Sequence, residues 1–224
     1  MFEVNTNEKY NKRFGISDFI LKTSNKIYGS SVSKEDVFYY VYGVLHNSEY
    51  KKIFANDLMK MLPRIPLVEK PKDFWSFSKA GRELAELHLN YESVAPYDKL
   101  NIDGVESQNY QVQKMAFGKT KKEIDGENKT VADKSIIYFN SSITIRDIPE
   151  KAYEYVINGR PSIEWIMERY QIAIDKESGI KNNPNDWADE VGNPRYILDL
   201  LLSIINVSVQ TVDIVEGLPK LDFE

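Results

Sequence analysis

The hydrophobic spacing of this chain switches twice, and the two switches limit the folds open to it. From Ser17 to about Leu89 apolar residues return every three or four positions, the period of a helix with one buried face. After about Tyr91 the segments shorten and become alternating or β-branched, at 112–117, 135–139 and 143–145. Gly126 and Asn128, then Asn140 and Ser141, lie between them as turn formers. From Ile148 to Val215 the helical spacing returns. The prediction is an α+β fold, with helices at both ends packed around a small, mostly antiparallel β-sheet in the middle. Its expected organisation is a leader or linker at 1–16, a single domain over 17–218 and a tail at 219–224. Within the domain, 17–92 is helical, 97–147 β-rich and 148–216 helical.

Local signals place the helices. Ser17 caps a first helix that Gly29 ends, and Ser33 with Asp36 three residues on forms a capping arrangement for a second. The second helix carries the aromatic run FYYVYGVLHNSEY, 38–50. At helical spacing Val37, Tyr40 or Val41, Val44 and Leu45 share one face, so this run is read as mostly buried, with tyrosine hydroxyls at the boundary. His46 falls where an imidazole can bond the last free carbonyls. Another helix is expected over 51–61, stopped by Pro63, followed by extended chain through PRIPLVEKPKDFW. Residues 74–89 read as a helix with Ala80, Leu84 and Leu87 inward and His88 hydrogen-bonded at its end. Beyond the sheet, Ile148-Pro149-Glu150 opens a helix that Asn158-Gly159 closes, and Ser162 caps one running through Ile163, Ile166 and Tyr170. KNNPNDW reads as a loop, and a long helix past Pro194 offers Ile197, Leu198, Leu201, Ile205, Val212 and Val215 to the core.

Composition narrows the chemistry. Zero cysteines exclude disulfides, thiolate metal sites and cysteine nucleophiles, a usage compatible with a reducing cytoplasm. His46 and His88 form no zinc-ligand spacing. Gly118-Lys119-Thr120 ends like a phosphate loop, but the glycine required five positions earlier is Gln113. Asn183-Pro184-Asn185-Asp186-Trp187 approaches the Asn-Pro-Pro-Tyr motif of amino-methyltransferases, yet lacks the second proline and the aromatic in register. No catalytic centre, metal or cofactor site is specified, so the chain is not read as an enzyme. The stretch 196–215 is interrupted by Asp199, Asn206, Gln210 and Asp213, too polar for a membrane span. A net charge of −5 does not by itself suggest nucleic acid, although KMAFGKTKK, 114–122, is lysine-rich without an acid. Such a run is a solvated loop or hairpin, or part of a binding surface.

Three blocks together carry a family likeness: EDVFYYVYGVLHNSEYKKIFANDLMKMLPRIPLV (35–68), FWSFSKAGRELAELHLNYE (74–92), and IPEKAYEYVINGRPSIEWIMERYQIAIDKESGIKNNPNDW (148–187) continued by NPRYILDLLLSIINVSVQTVDIV (193–215). In this order they resemble the C-terminal target-recognition region of type ISP restriction-modification enzymes, over roughly 15–218. The resemblance implies recognition of a short, specific double-stranded DNA sequence by the specificity module of a larger chain. The methyltransferase and helicase-like domains of that parent would be its partners. S-adenosylmethionine, ATP and magnesium would then belong to the parent and not to these residues.

Readers must differ between members of such a family, so the shared blocks are expected to be scaffold and the segment 97–147 the reader. Its amide and cationic groups are Gln108, Asn109, Gln111, Gln113, Lys114, Lys119, Lys121, Lys122, Asn140 and Arg146, side chains able to bond base edges or phosphates. The competing reading is a protein-interaction or scaffold module that docks on a methyltransferase or ATPase and touches no DNA. Acidity and the tyrosine-rich helices favour it, since aromatic residues are enriched in interface cores.

Overall fold

In the computed structural model, residues 14–221 are described, which leaves most of the expected 1–16 leader and residues 222–224 of the expected tail outside them. Eight α-helices and a four-stranded antiparallel sheet appear among these residues, with helices before and after the sheet, which is the α+β arrangement read from the spacing. The chain divides into two compact units, Met1–Glu86 with Ile214–Glu224, and Leu87–Asp213.

The first unit holds α1 (Asp18–Tyr28), α2 (Lys34–His46), α3 (Ser48–Ile53), α4 (Ala55–Leu58) and most of α5 (Pro71–Leu89). Ser17 caps α1 by accepting from the Ile20 amide, and Ser33 and Asp36 form a reciprocal capping box on α2. His46 Nδ1 lies 2.8 Å from the Tyr42 carbonyl, as its place at the end of α2 suggested. The helix expected over 51–61 is instead two short ones. Asn47 caps α3 early, and Phe54, at φ −98° and ψ 17°, breaks the run before α4.

Backbones of α2 and α5 touch. A Cβ built on Gly43 would lie 2.4 Å from the Phe77 carbonyl oxygen, and one on Gly81 only 1.8 Å from that of Tyr39. Around this seam Tyr40, Phe74 and Phe77 are fully buried, with the Tyr28 and Phe74 rings stacked at 4.2 Å. The aromatic run is thus core at Tyr40, Val44 and Tyr50, while Phe38 is exposed. The tyrosine hydroxyls hold the extended strap 63–68. Tyr50 donates to the Arg64 carbonyl at 2.9 Å, Tyr40 to that of Pro66 at 2.6 Å, and Tyr28 to that of Val68 at 2.7 Å. Part of the expected tail is packed: Leu221 joins this core beside Leu218, the last residue of the expected domain, and the Leu221 amide donates to Glu49.

In the second unit the sheet order is β1 (Asn101–Asp103), β4 (Thr144–Arg146), β3 (Glu127–Tyr138), β2 (Ala116–Ile124), every pair antiparallel. Ile137, Phe139, Ile143 and Ile145 bury completely in one core with Ile163 and with Leu198, Leu201 and Ile205 of α8 (Tyr196–Glu216). By length and composition α8 could cross a membrane, but 67% of its most apolar stretch is buried within the fold, as in a core helix.

Several expectations are corrected here. Val112–Met115 precedes the strand, and β2 runs on to Ile124. No helix follows Ile148; a single 3₁₀ turn at Glu150–Tyr153 leads into the hairpin β5 (Val156–Ile157) and β6 (Arg160–Pro161), turning at Asn158-Gly159. Two successive left-handed residues there, φ 50° and 80°, make a tight hairpin rather than a helix end. Ser162 is the first residue of α6 (Ser162–Arg169), not its cap; its hydroxyl lies 2.6 Å from that of Ser208 in the buried interior. KNNPNDW is not all loop, for it contains β8 (Lys181–Asn182), paired with β7 (Ala173–Ile174), and opens α7 (Asn185–Glu190).

Candidate functional site

The ten polar residues singled out in 97–147 fall into separate groups. Gln108, Asn109, Gln111, Gln113 and Lys114 lie along an irregular, exposed segment before β2. An irregular backbone needs partners for its peptide groups, and two asparagine side chains supply them. Asn140, in the turn between β3 and β4, donates to the carbonyls of Asn109 at 2.7 Å and Gln111 at 3.0 Å. Its carbonyl oxygen meanwhile accepts from the amides of Ser142 and Ile143, both at 2.8 Å. All of its amide groups are therefore engaged within the fold, so Asn140 positions the segment and offers nothing further to a ligand.

Asn185 acts from the other side. Only 5% exposed, it pairs with Val112 as a strand would, accepting from the amide and donating to the carbonyl, both at 2.8 Å. The residue came from the Asn-Pro-Asn stretch that reads as a simple turn. Its signal is weak in sequence, since turn and bracing asparagines look alike. Between the braced segment at Ser107–Gln111 and the first turn of α7 lies an open cleft of about 420 Å³, lined also by Ala188 and Asp189. Arg195 reaches this region, donating to the Tyr110 hydroxyl at 3.3 Å while ion-paired with Asp199 at 3.1 Å.

Lys119, Lys121 and Lys122 stand on β2 in a two-stranded ribbon formed with β3. Pairing of Gly118–Ile124 with Glu127–Asp133 is continuous, closed by the left-handed pair Asp125 and Gly126 at φ 56° and 78°. Residues directly opposite in an antiparallel pair share a face. Lys119, Lys121 and Glu123 therefore lie with Asn128, Thr130 and Ala132, all exposed. Lys122 is on the reverse face opposite Lys129, beside half-buried Thr120 and Val131. The lysine-rich run is thus a hairpin.

At the base of the ribbon the register jumps. Phe117 pairs with Ile137 but Gly118 with Asp133, so Lys134, Ser135 and Ile136 bulge out. Each side of the bulge is fastened. Tyr153 donates to the Lys134 carbonyl at 2.7 Å, the Ile148 amide to that of Ser135 at 3.1 Å, and Lys134 pairs with Glu164 at 2.7 Å. The Ser135 hydroxyl and amide both donate to Asp133, which holds that carboxyl below its usual range.

Arg146 lies apart, on β4 opposite Asn101, bonded through Nε to Asp103 at 2.8 Å. Among the described residues no group of three or more histidine, aspartate or glutamate side chains is arranged to hold a metal.

Comparison with known proteins gives a family and several similar structures. A family model described as the Type ISP C-terminal specificity domain matches residues 2–200. Among solved structures the chain is similar to a nuclease-deletion mutant of the Type ISP restriction-modification enzyme LlaGI in complex with a DNA substrate mimic. Identity is 47% and the TM-score 0.71, over 86% of this chain and 14% of that one. It is also similar to the ATP-dependent Type ISP enzyme LlaBIII bound to DNA, at 43% identity and TM-score 0.72, over 91% of this chain and 12% of that one. A third likeness is to DrdV in its DNA complex, at 31% identity and TM-score 0.70, over 91% and 20%. The chain therefore spans a fifth or less of each of these proteins. Curated protein sequences give no match.

Proposed function

The chain belongs to the Type ISP C-terminal specificity domain family, and on that premise we propose that it recognises a short, specific sequence in double-stranded DNA as the reading module of a restriction-modification enzyme. The observation that carries this reading is its match to structures described as DNA complexes, at up to 47% identity over most of this chain. A specificity domain is a recognition part and not a catalytic one. The nuclease, ATPase and adenine-methyltransferase activities, with S-adenosylmethionine, ATP and magnesium, belong on this reading to the other domains of the larger enzyme, which are its protein partners in the cytoplasm.

Two surfaces support DNA contact. The braced segment exposes Gln108, Asn109, Gln111, Gln113 and Lys114, amide and ammonium groups that can meet base edges, with Arg146 on the far strand pair. The ribbon exposes Lys119, Lys121 and Lys122 to phosphates. Net acidity of the chain is no obstacle to a module carried beside other DNA-binding domains.

Fluorescence anisotropy with labelled duplexes, repeated across salt concentrations, tests the reading. Replacing Lys119, Lys121 and Lys122 by glutamine should weaken binding to all sequences and lower the salt slope by up to roughly 0.9 for each phosphate that is no longer neutralised. Unchanged affinity and slope would remove the ribbon lysines from the interface. The protein-docking alternative draws on one feature of the first unit, the exposed apolar side chains of Ile53, Met59 and Leu62 around α3 and α4. Absence of any salt-dependent DNA binding would move that reading ahead.

A further inference from the structure

We propose that the β2–β3 ribbon is a major-groove reader, and that Asn128 and Thr130, on the strand without the lysine run, are the side chains that contact bases. The inference rests on the DNA-recognition reading and adds to it the element, the groove and the residues.

Shape is the first argument. Beyond the bulge the ribbon is seven paired positions long, Gly118–Ile124 against Glu127–Asp133. At about 3.3 Å rise per residue it reaches roughly 20 Å, with its two strands about 4.8 Å apart. A two-stranded ribbon of that width enters a major groove about 12 Å wide without deforming it, whereas a minor groove of about 6 Å would have to be widened at a cost in DNA deformation.

Chemistry distinguishes the two faces. The outward face presents Lys119 and Lys121 with Thr130 and Asn128 on the other strand, Glu123 opposite Asn128 nearest the turn, and Ala132 adding little bulk. Among the described residues neither lysine has an acidic partner within 4.0 Å, and neither the Asn128 nor the Thr130 side chain has a hydrogen-bond partner. On the reverse face Lys129 approaches Asp125 at 3.9 Å and Glu127 at 4.0 Å, which offsets its charge. Only the outward face combines two free cations on one strand, able to reach a phosphate edge, with an amide and a hydroxyl on the other. An asparagine amide matches the N6 donor and N7 acceptor of adenine, and a threonine offers a hydroxyl and a methyl group.

Support at the base is the third argument. A reader must be held in a defined pose, and the bulge at 134–136 is fixed by Tyr153, Ile148 and Glu164. Gly118 completes the joint, since a Cβ there would meet that of Ile136 at 2.9 Å.

The experiment uses the full chain and a library of duplexes with randomised sequence, comparing the wild type with the Asn128→Ala, Thr130→Ala double variant. Both positions are exposed, so the fold stays intact and circular dichroism checks it. The expected result is retained non-specific binding with preference relaxed roughly ten- to a hundredfold at one or two adjacent base pairs. Replacing purines at those positions by 7-deaza analogues, which lack the major-groove N7, should weaken the wild type and leave the variant unaffected. Unaltered preference in the variant, or insensitivity of the wild type to the 7-deaza change, overturns the ribbon as reader while DNA recognition stands. A wild type with no salt-dependent binding to any duplex overturns both.

Discussion

Replacing Gly81 by alanine tests the packing of the first unit because two effects of opposite sign compete. In an open helix the change would stabilise by about 1 kcal/mol, since glycine is the poorer helix former. In this fold the new methyl group would sit 1.8 Å from the Tyr39 carbonyl oxygen, 2.8 Å from its carbon and 2.9 Å from the Gly43 nitrogen. All three are backbone atoms, so no side chain can swing aside. Restoring ordinary separation requires α2 and α5 to part by about 1.5 Å, and a gap of even 0.5–1 Å forfeits roughly a quarter to a half of each dispersion interaction across it. The seam that would open contains the Tyr40 ring against Phe74 at 4.9 Å and Phe77 at 5.9 Å. Taking about 3 kcal/mol for this overpacking, at the upper end of the usual range, leaves a net loss of about 2 kcal/mol. With a urea slope of about 2 kcal/mol per molar, the unfolding midpoint should fall by about 1 M. A midpoint that stays or rises would refute the close backbone approach, because the helix-propensity gain would then be unopposed.

Two further outcomes follow from the same physics. Asn185→Ala should lower stability by about 1–3 kcal/mol, since it strands the peptide groups of fully buried Val112. Hydrogen exchange should quicken from 107 to 113, and unchanged exchange there would refute the bracing role. Burial pushes the Tyr28 phenol up from its ordinary 10 to about 12. The folded state keeps its proton where the unfolded chain has lost it, so stability is complete below about pH 10 and declines as pH rises towards about 12. Tyr28→Phe should flatten that decline in urea titrations at successive pH values, and an equal slope would argue against it.

Legibility in the sequence followed burial. Helices α1, α2, α5 and α8 each have a buried stripe or a capping side chain, and both leave a trace in residue order. The ribbon leaves none. Every side chain from Lys121 to Thr130 is exposed, so alternation between a wet and a dry face never arises and only the Asp125-Gly126 turn marks it. Phe54 ends α3 although its neighbours keep helical spacing, because spacing registers one face and not backbone geometry. At 148–161 the apolar Ala152 and Tyr155 imitate a helical period over a 3₁₀ turn and a hairpin too short to show any period. Gln108, Asn109, Gln111 and Gln113 were identifiable as polar and as lying in the middle segment between the family blocks. That Asn140 faces inward and Asn185 holds the segment depends on partners 29 to 73 residues away, which no local pattern encodes.

The strap at 63–68 carries one more implication. Its carbonyls at 64, 66 and 68 point the same way because extended chain alternates, and each meets a tyrosine hydroxyl from a different helix. The arrangement therefore imposes a parity rule on change. Inserting or deleting one residue between Arg64 and Val68 inverts the alternation and turns carbonyls away from the hydroxyls beyond that point, whereas a change of two restores the phase and needs only a local bow. Natural or engineered length variation in this strap should come in even steps.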